Sequence, residues 1–184
     1  MTESNNPSAI RSQEEITQAL QALMRRHPYD EITVKQIILE ARLARKTFYR
    51  NFESKDDVLL SLVRKILREY VGIINNARGD VLTTIFSFAD ANRELLLLLD
   101  KNGMLHIPLR CMNEYAPTVL AEQNRELNPF YRLFEGLSPD YLIAMNIGAV
   151  WNVISLWIHK GMTDDPGDVR RTLEGYLRRL KELG

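Results

Sequence analysis

Apolar residues recur along nearly the whole chain at intervals of three and four, and no stretch alternates at intervals of two. The pattern therefore predicts helices and no strands. The first stripe carries Ile16, Ala19, Leu20, Leu23 and Met24. It begins at about Ala9 and must stop near His27, because the residue before Pro28 is pushed out of the helical region. Ahead of it, residues 1–8 are polar and read as an unstructured tail. Thr33-Val34-Lys35-Gln36 has the form of a capping box and starts a short second helix that turns Val34, Ile37, Ile38 and Ala41 inward. Phe48 and Phe52 can share an apolar face only if a third helix begins soon after Arg42-Leu43. Ser54-Lys55-Asp56-Asp57 is a further start signal, a capping serine followed by acids in the first turn. The helix it opens is long, carrying Leu59, Leu62, Val63, Ile66, Leu67, Tyr70 and Ile74 to about Ala77.

Beyond Gly79 the helical pattern continues, with breaks expected near Asn102-Gly103 and at Pro117, Asn128-Pro129, Ser138-Pro139 and Asp165-Pro166. The last two are read as capped starts with proline in the first helical position, where its missing N–H costs nothing. Residues 141–159 are apolar nearly all the way round, so that helix must be covered on more than one side. The final helix, from Pro166 to about Leu183, has a narrower stripe at Val169, Leu173, Tyr176, Leu177 and Leu180, with Arg170, Arg171, Arg178, Arg179 and Lys181 outside it. Gly175 suggests a close helix contact.

Charge changes the picture by its distribution. Lys and Arg together number 24, as do Asp and Glu, so attraction to a polyanion must come from a local patch. Such a patch exists: Arg42, Arg45, Lys46, Arg50 and Lys55 crowd together, interleaved with Phe48, Tyr49 and Phe52. At about 100° per residue, Phe48 and Phe52 fall within about 40° of each other and define a buried side. Lys46 and Arg50 then point outward, flanked by Thr47 and Tyr49, with Arg45 in the first turn. A three-helix unit with a short turn before its last helix is the helix-turn-helix arrangement, whose last helix enters the DNA major groove. Cations for phosphate or guanine, and hydroxyls for phosphate, are the side chains that groove reading needs. Thr33 with Lys35 and Lys55 at two helix starts would clamp the flanking backbone. A solvated basic face is the alternative reading of the same residues.

Other chemistry finds little support. His27, His106 and His159 lie far apart without metal-ligand spacing, and no phosphate loop or nucleophile elbow is present, so neither metal, cofactor nor catalysis is expected. The longest uninterrupted apolar run, Leu95 to Leu99, is too short to cross a bilayer, and the single cysteine, Cys111, reads as a small buried hydrophobe. A cytoplasmic protein without membrane contact is the simplest expectation.

The run ITVKQIILEARLARKTFYRNFESKDDVL resembles the signature of the TetR (tetracycline-repressor-like) transcriptional regulators. Thr47, Phe48, Tyr49, Phe52, Ser54, Lys55 and Leu59 all fall in register with it over roughly residues 16–62. The resemblance implies that Thr33, Lys35, Arg45, Lys46, Thr47, Tyr49, Arg50 and Lys55 sit at DNA-contacting positions, with Arg42 as an added phosphate contact. The family commonly carries Gly-Val-Ser or Gly-Val-Asn where this chain has Arg42-Leu43-Ala44, so the turn needs a non-glycine residue at positive φ and Ala44 cannot cap the third helix.

The implied organisation is all-α: a tail over 1–8, a helix-turn-helix head over 9–53, a connecting helix over 54–78, and a dimerisation and effector domain over 79–184. The implied function is a repressor that binds a palindromic operator on double-stranded DNA as a homodimer, with release by a small-molecule effector where one acts. Trp151, Ile154, Trp157, Ile158, Leu173, Tyr176, Leu177 and Leu180 are the expected dimer interface, ordinary core within one subunit being the alternative. Tyr70, Met104, His106, Cys111, Met112, Tyr115 and Phe130 are candidate effector-pocket residues. The C-terminal region is also similar to that of a TetR-like branch common in Gram-positive bacteria. A co-regulator that binds an acidic protein partner through the basic face stands as the rival function.

Overall fold

The computed structural model describes residues 7–76, 81–122 and 136–182. The expected breaks at Gly79 and Asn128-Pro129, and the candidate Phe130, lie outside them. Among the described residues the regular structure is helical throughout, and the chain divides into two compact units, 1–66 and 67–184.

In the first unit, α1 (Pro7–Arg26) opens two residues earlier than the pattern places it, with proline at the start of the helix. It buries Ile16, Ala19, Leu20, Leu23 and Met24, the stripe read from the sequence. A 3-10 turn, Tyr29–Glu31, leads to α2 (Val34–Glu40), and α3 (Arg45–Asn51) follows after a short turn. α1 packs on both α2 and α3. Ile37 from α2 and Phe48 from α3 are fully buried. α4 (Lys55–Asn76) starts where expected, with the Ser54 hydroxyl accepting the Asp57 N–H at 3.1 Å.

In the second unit, α5 (Val81–Ala91) and α6 (Arg93–Lys101) are separate helices where the pattern suggested one. The Asn92 side chain donates to the Phe88 carbonyl at 2.9 Å, the local competition with the helix ladder that makes asparagine a breaker. α7 (His106–Glu122) runs through Pro117, so the break expected there is absent. A proline removes one hydrogen bond from a helix, and the other turns of a long helix can sustain it. α8 (Pro139–His159) begins with its proline as read, although Ser138 makes no side-chain cap. Before α9 (Pro166–Glu182), the Asp165 carboxylate does cap, accepting the Gly167 and Asp168 N–H groups at 2.9 and 3.2 Å.

The core of this unit joins Ile85, Phe86 and Ala89 of α5 to Trp151, Ile154, Trp157 and Ile158 of α8. Phe86 and Trp157 meet edge to face at 5.8 Å. The Trp157 indole N–H donates to the Asp164 carbonyl at 3.0 Å, and Arg93 donates to the Met162 carbonyl at 2.7 Å, which fastens the bend between α8 and α9. α8 is also 21 residues long, with a mean hydropathy of 1.6 over its most apolar 18 residues, long and apolar enough to cross a membrane. Its apolar sequence is interrupted at Asn146 and Asn152. Both asparagines donate to carbonyls one turn back, at 2.7 and 2.9 Å.

Candidate nucleic-acid interface

The turn between α2 and α3 decides how the head presents itself. Arg42 has a φ of 54°, the left-handed conformation that glycine normally supplies. Its N–H donates to the Leu39 carbonyl and that of Leu43 to the Ile38 carbonyl, each at 3.2 Å. This is the Schellman pairing that closes a helix C-terminus, with arginine in the glycine position. The turn therefore survives the departure from Gly-Val-Ser, at a cost of about 1 kcal/mol for a side chain in that conformation. Ala44, as expected, provides no side-chain cap to α3.

From that turn α3 projects one apolar and one polar side. Phe48 and Phe52 are buried, their rings 6.2 Å apart. Arg45, Lys46 and Arg50 are exposed, Thr47 is half-buried, and Tyr49 is 49% exposed. The Arg45 guanidinium lies 5.4 Å from the Tyr49 ring centroid, and Phe48 meets the same ring edge-on at 5.4 Å. Tyr49 thus ties an outward cation to the core aromatic beneath it. Among the described residues none of Lys35, Arg42, Arg45, Lys46 and Arg50 is paired with a carboxylate. Their charge stays available to an external polyanion.

Two of the expected clamps are engaged differently. Thr33 forms the predicted capping box: its hydroxyl accepts the Gln36 N–H at 3.3 Å and its own N–H donates to Gln36 Oε1 at 2.7 Å. The Thr33 hydroxyl also lies 2.7 Å from that Oε1, so the side chain works within the cap. Lys55 donates from Nζ to the carbonyls of Tyr29 and Asp30 at 2.8 and 3.2 Å, with its ammonium 4.6 Å from the Tyr29 ring centroid. It is half-buried, with its ammonium turned toward those carbonyls. Composition could not reveal this, because the acceptors are backbone carbonyls 25 and 26 residues away.

The expected dimer residues divide into two groups. Trp151, Ile154, Trp157 and Ile158 are buried within the chain, in one core cluster with Ile85, Phe86 and Ala89 of α5. Leu173 packs partly against the same core. Tyr176, Leu177 and Leu180 of α9 are exposed, as are Tyr141, Met145 and Leu156 of α8, three residues the sequence reading left out. The period of an all-round apolar helix cannot tell which side its own domain covers. Among the described residues nothing lies within 4 Å of the Gly175 Cβ position, so it makes no close contact with them.

Among the described residues the effector-pocket candidates sit in different settings. Cys111 is fully buried, Tyr70 and Met112 pack partly against the core, and His106 is exposed at the start of α7. Met104 and Tyr115 are half-buried. Burial holds the Tyr70 phenol well above the usual tyrosine range, and its ring stacks at 5.1 Å on Phe88. An open groove of about 380 Å³ lies instead along Ile73, Thr83, Thr84, Ser87, Phe88 and Ala91.

The comparisons with known proteins agree with this geometry. A family model described as bacterial regulatory proteins of the tetR family matches residues 16–62. No curated protein matches the chain. Among solved structures, the dihydroxyacetone kinase operon activator DhaS is 20% identical, with a TM-score of 0.57 over 95% of this chain and 98% of that one. The fatty acid degradation regulator FadR from Bacillus halodurans is 21% identical, with a TM-score of 0.60 over 95% and 96%. A TetR transcriptional regulator from Streptococcus agalactiae 2603V is 20% identical, with a TM-score of 0.60 over 94% of each chain. At such identities the likeness is one of fold, and it extends through both units. Residues 16–62 thus match the model of the tetR family of bacterial regulatory proteins, and the chain shares its fold with solved regulators over 94–95% of its length.

Proposed function

We propose that the protein is a cytoplasmic DNA-binding transcriptional repressor that works as a homodimer, each α3 lying in one major groove of a palindromic operator. The observation that carries this reading is the outer side of α3, where Arg45, Lys46 and Arg50 stand exposed over two buried phenylalanines. Arg42 at the turn and Lys35 in the first turn of α2 extend the basic surface toward the flanking phosphates. Named relatives of the same fold regulate transcription, one of them as an activator. Repression by occupying a promoter is the mode that a bare reading head on a dimer serves most directly. An effector would act by favouring one spacing of the two heads over another. The groove along Ile73, Phe88 and Ala91 offers a mostly apolar surface for such a molecule. The rival, a co-regulator that binds an acidic protein through the same basic face, is separated from this reading by comparing random duplex DNA with an acidic polypeptide in a salt-titrated anisotropy measurement.

The operator is recovered by genome-wide DNA pull-down and the complex measured by fluorescence anisotropy. Lys46→Ala or Arg50→Ala is expected to weaken operator binding by about 1–3 kcal/mol. If Arg45, Lys46 and Arg50 all become alanine with no change in binding at low salt, the groove assignment is wrong.

A further inference from the structure

The ammonium of Lys55 sits at the first turn of α4 and spends two of its three donors on the carbonyls of Tyr29 and Asp30. It also lies over the Tyr29 ring, within the range of a cation–π contact. The next residue completes the grip. The buried Tyr29 side chain donates its hydroxyl to Asp56 Oδ1 at 2.6 Å. Two consecutive residues of α4 thus hold one 3-10 turn, from its backbone and from its side chain. That turn ends at Glu31, two residues before Thr33, the N-cap of α2.

Resting on the DNA-binding reading above, we infer that Lys55, with Asp56 and Tyr29, forms a clasp that positions α2 and the reading helix behind it, and that Lys55 is a positioning residue and not a phosphate contact. The clasp fixes where the chain enters α2. α2 packs on α3, so a shift at the entrance moves the reading helix, with its cations, relative to the rest of the head. Base-edge contacts depend on such placement far more than phosphate attraction does. The clasp should therefore support discrimination between operator and random DNA, and leave the electrostatic part of binding unchanged. Burial and the Asp56 bond hold the Tyr29 phenol well above the usual tyrosine range, so the hydroxyl stays a proton donor at any working pH.

The test measures the affinity of the full chain for the recovered operator and for a random duplex of equal length, by anisotropy across a salt series. The variants are Lys55→Met, Asp56→Ala and Tyr29→Phe, with Lys46→Ala as the comparison. Lys55→Met is expected to weaken operator binding about tenfold or more. Its salt slope and its random-duplex affinity should stay at the native values, whereas Lys46→Ala should lower the slope by about one. Asp56→Ala separates the readings by sign. Removing an acid beside DNA should tighten binding to every duplex if only charge matters, but loosening the clasp should weaken binding to the operator. Tyr29→Phe removes only the hydroxyl of a buried ring, so a loss of operator preference with it cannot come from a lost DNA contact. Lys55→Arg should keep the preference, since a guanidinium can reach both carbonyls.

Cooperative thermal melting of each variant confirms that it is folded at the assay temperature, and Tyr29→Phe keeps the test decisive if Lys55→Met does not fold. Equal losses on operator and random DNA with a flatter slope would make Lys55 a backbone contact and overturn the clasp. Unchanged operator binding in Lys55→Met and Tyr29→Phe would also overturn it. Native protein with no preference among duplexes would instead remove the DNA-binding reading, and the inference with it.

Discussion

Arg42 shows how much one side chain can give up to a backbone. With its φ at 54° it occupies a conformation in which a β-carbon is unfavourable by about 1 kcal/mol. Glycine would relieve that strain, but it would also free the unfolded chain by about 0.5–1 kcal/mol. Arg42→Gly should therefore change stability by less than about 0.5 kcal/mol, whereas Arg42→Val, branched at the strained carbon, should cost about 1–2 kcal/mol. Urea denaturation of the two variants checks this, and equal stabilities would mean that the turn relaxes to another geometry. The outward side of α3 was legible at this scale, because Phe48 and Phe52 fix its rotation and Lys46 and Arg50 must then face away. The engagement of Lys55 was not, since a lysine beside a helix start has the same sequence signature whether it meets a phosphate or a distant carbonyl.

Helices were legible where their ends carry a side-chain signal. Thr33 with Gln36 gives α2 its start and Asp165 gives α9 its start. The Thr33 cap closes one orphan N–H with its hydroxyl and, through Gln36, a second. Thr33→Ala should accordingly cost about 1 kcal/mol, seen as a lower urea midpoint at an unchanged slope. An effect below about 0.3 kcal/mol would show that packing alone holds the first turn. Ends set by competition were harder to place. Asn92 breaks the ladder between α5 and α6 by bonding to Phe88, yet Asn102, Asn146 and Asn152 make the same kind of bond to carbonyls one turn back. Of these, Asn102 lies at a helix end and Asn146 and Asn152 lie inside α8. Pro117 is passed over by a helix that continues five residues further, to Glu122. Local chemistry offers the break in each case, and packing with the neighbours decides whether it is taken.

At the scale of the whole molecule, the last two helices leave large apolar residues in water. On α8 these are Tyr141, Met145 and Leu156, spaced to lie along one face, with Tyr141 at 81% exposed. On α9 they are Tyr176, Leu177 and Leu180, with Leu177 at 54%. Six large side chains left this way on two consecutive helices are more than scattered surface residues explain, and a second copy offers the same faces back under twofold symmetry. Leu156→Glu and Leu177→Glu should therefore keep a cooperative melt but shift sedimentation from a two-subunit species to a single one. Each would place a charge where burial needs an apolar group. Trp157→Ala should do the opposite. Its ring is 2% exposed and packs on Phe86 inside the subunit, so the loss of about 3–5 kcal/mol should appear as unfolding and not as dissociation of folded chains. A native chain that sediments as a single subunit would leave each reading helix with one groove and no partner to fix the spacing. Glutamate variants that remain dimeric would move the interface to another surface, and the palindrome proposed for the operator would then need a different geometry to support it.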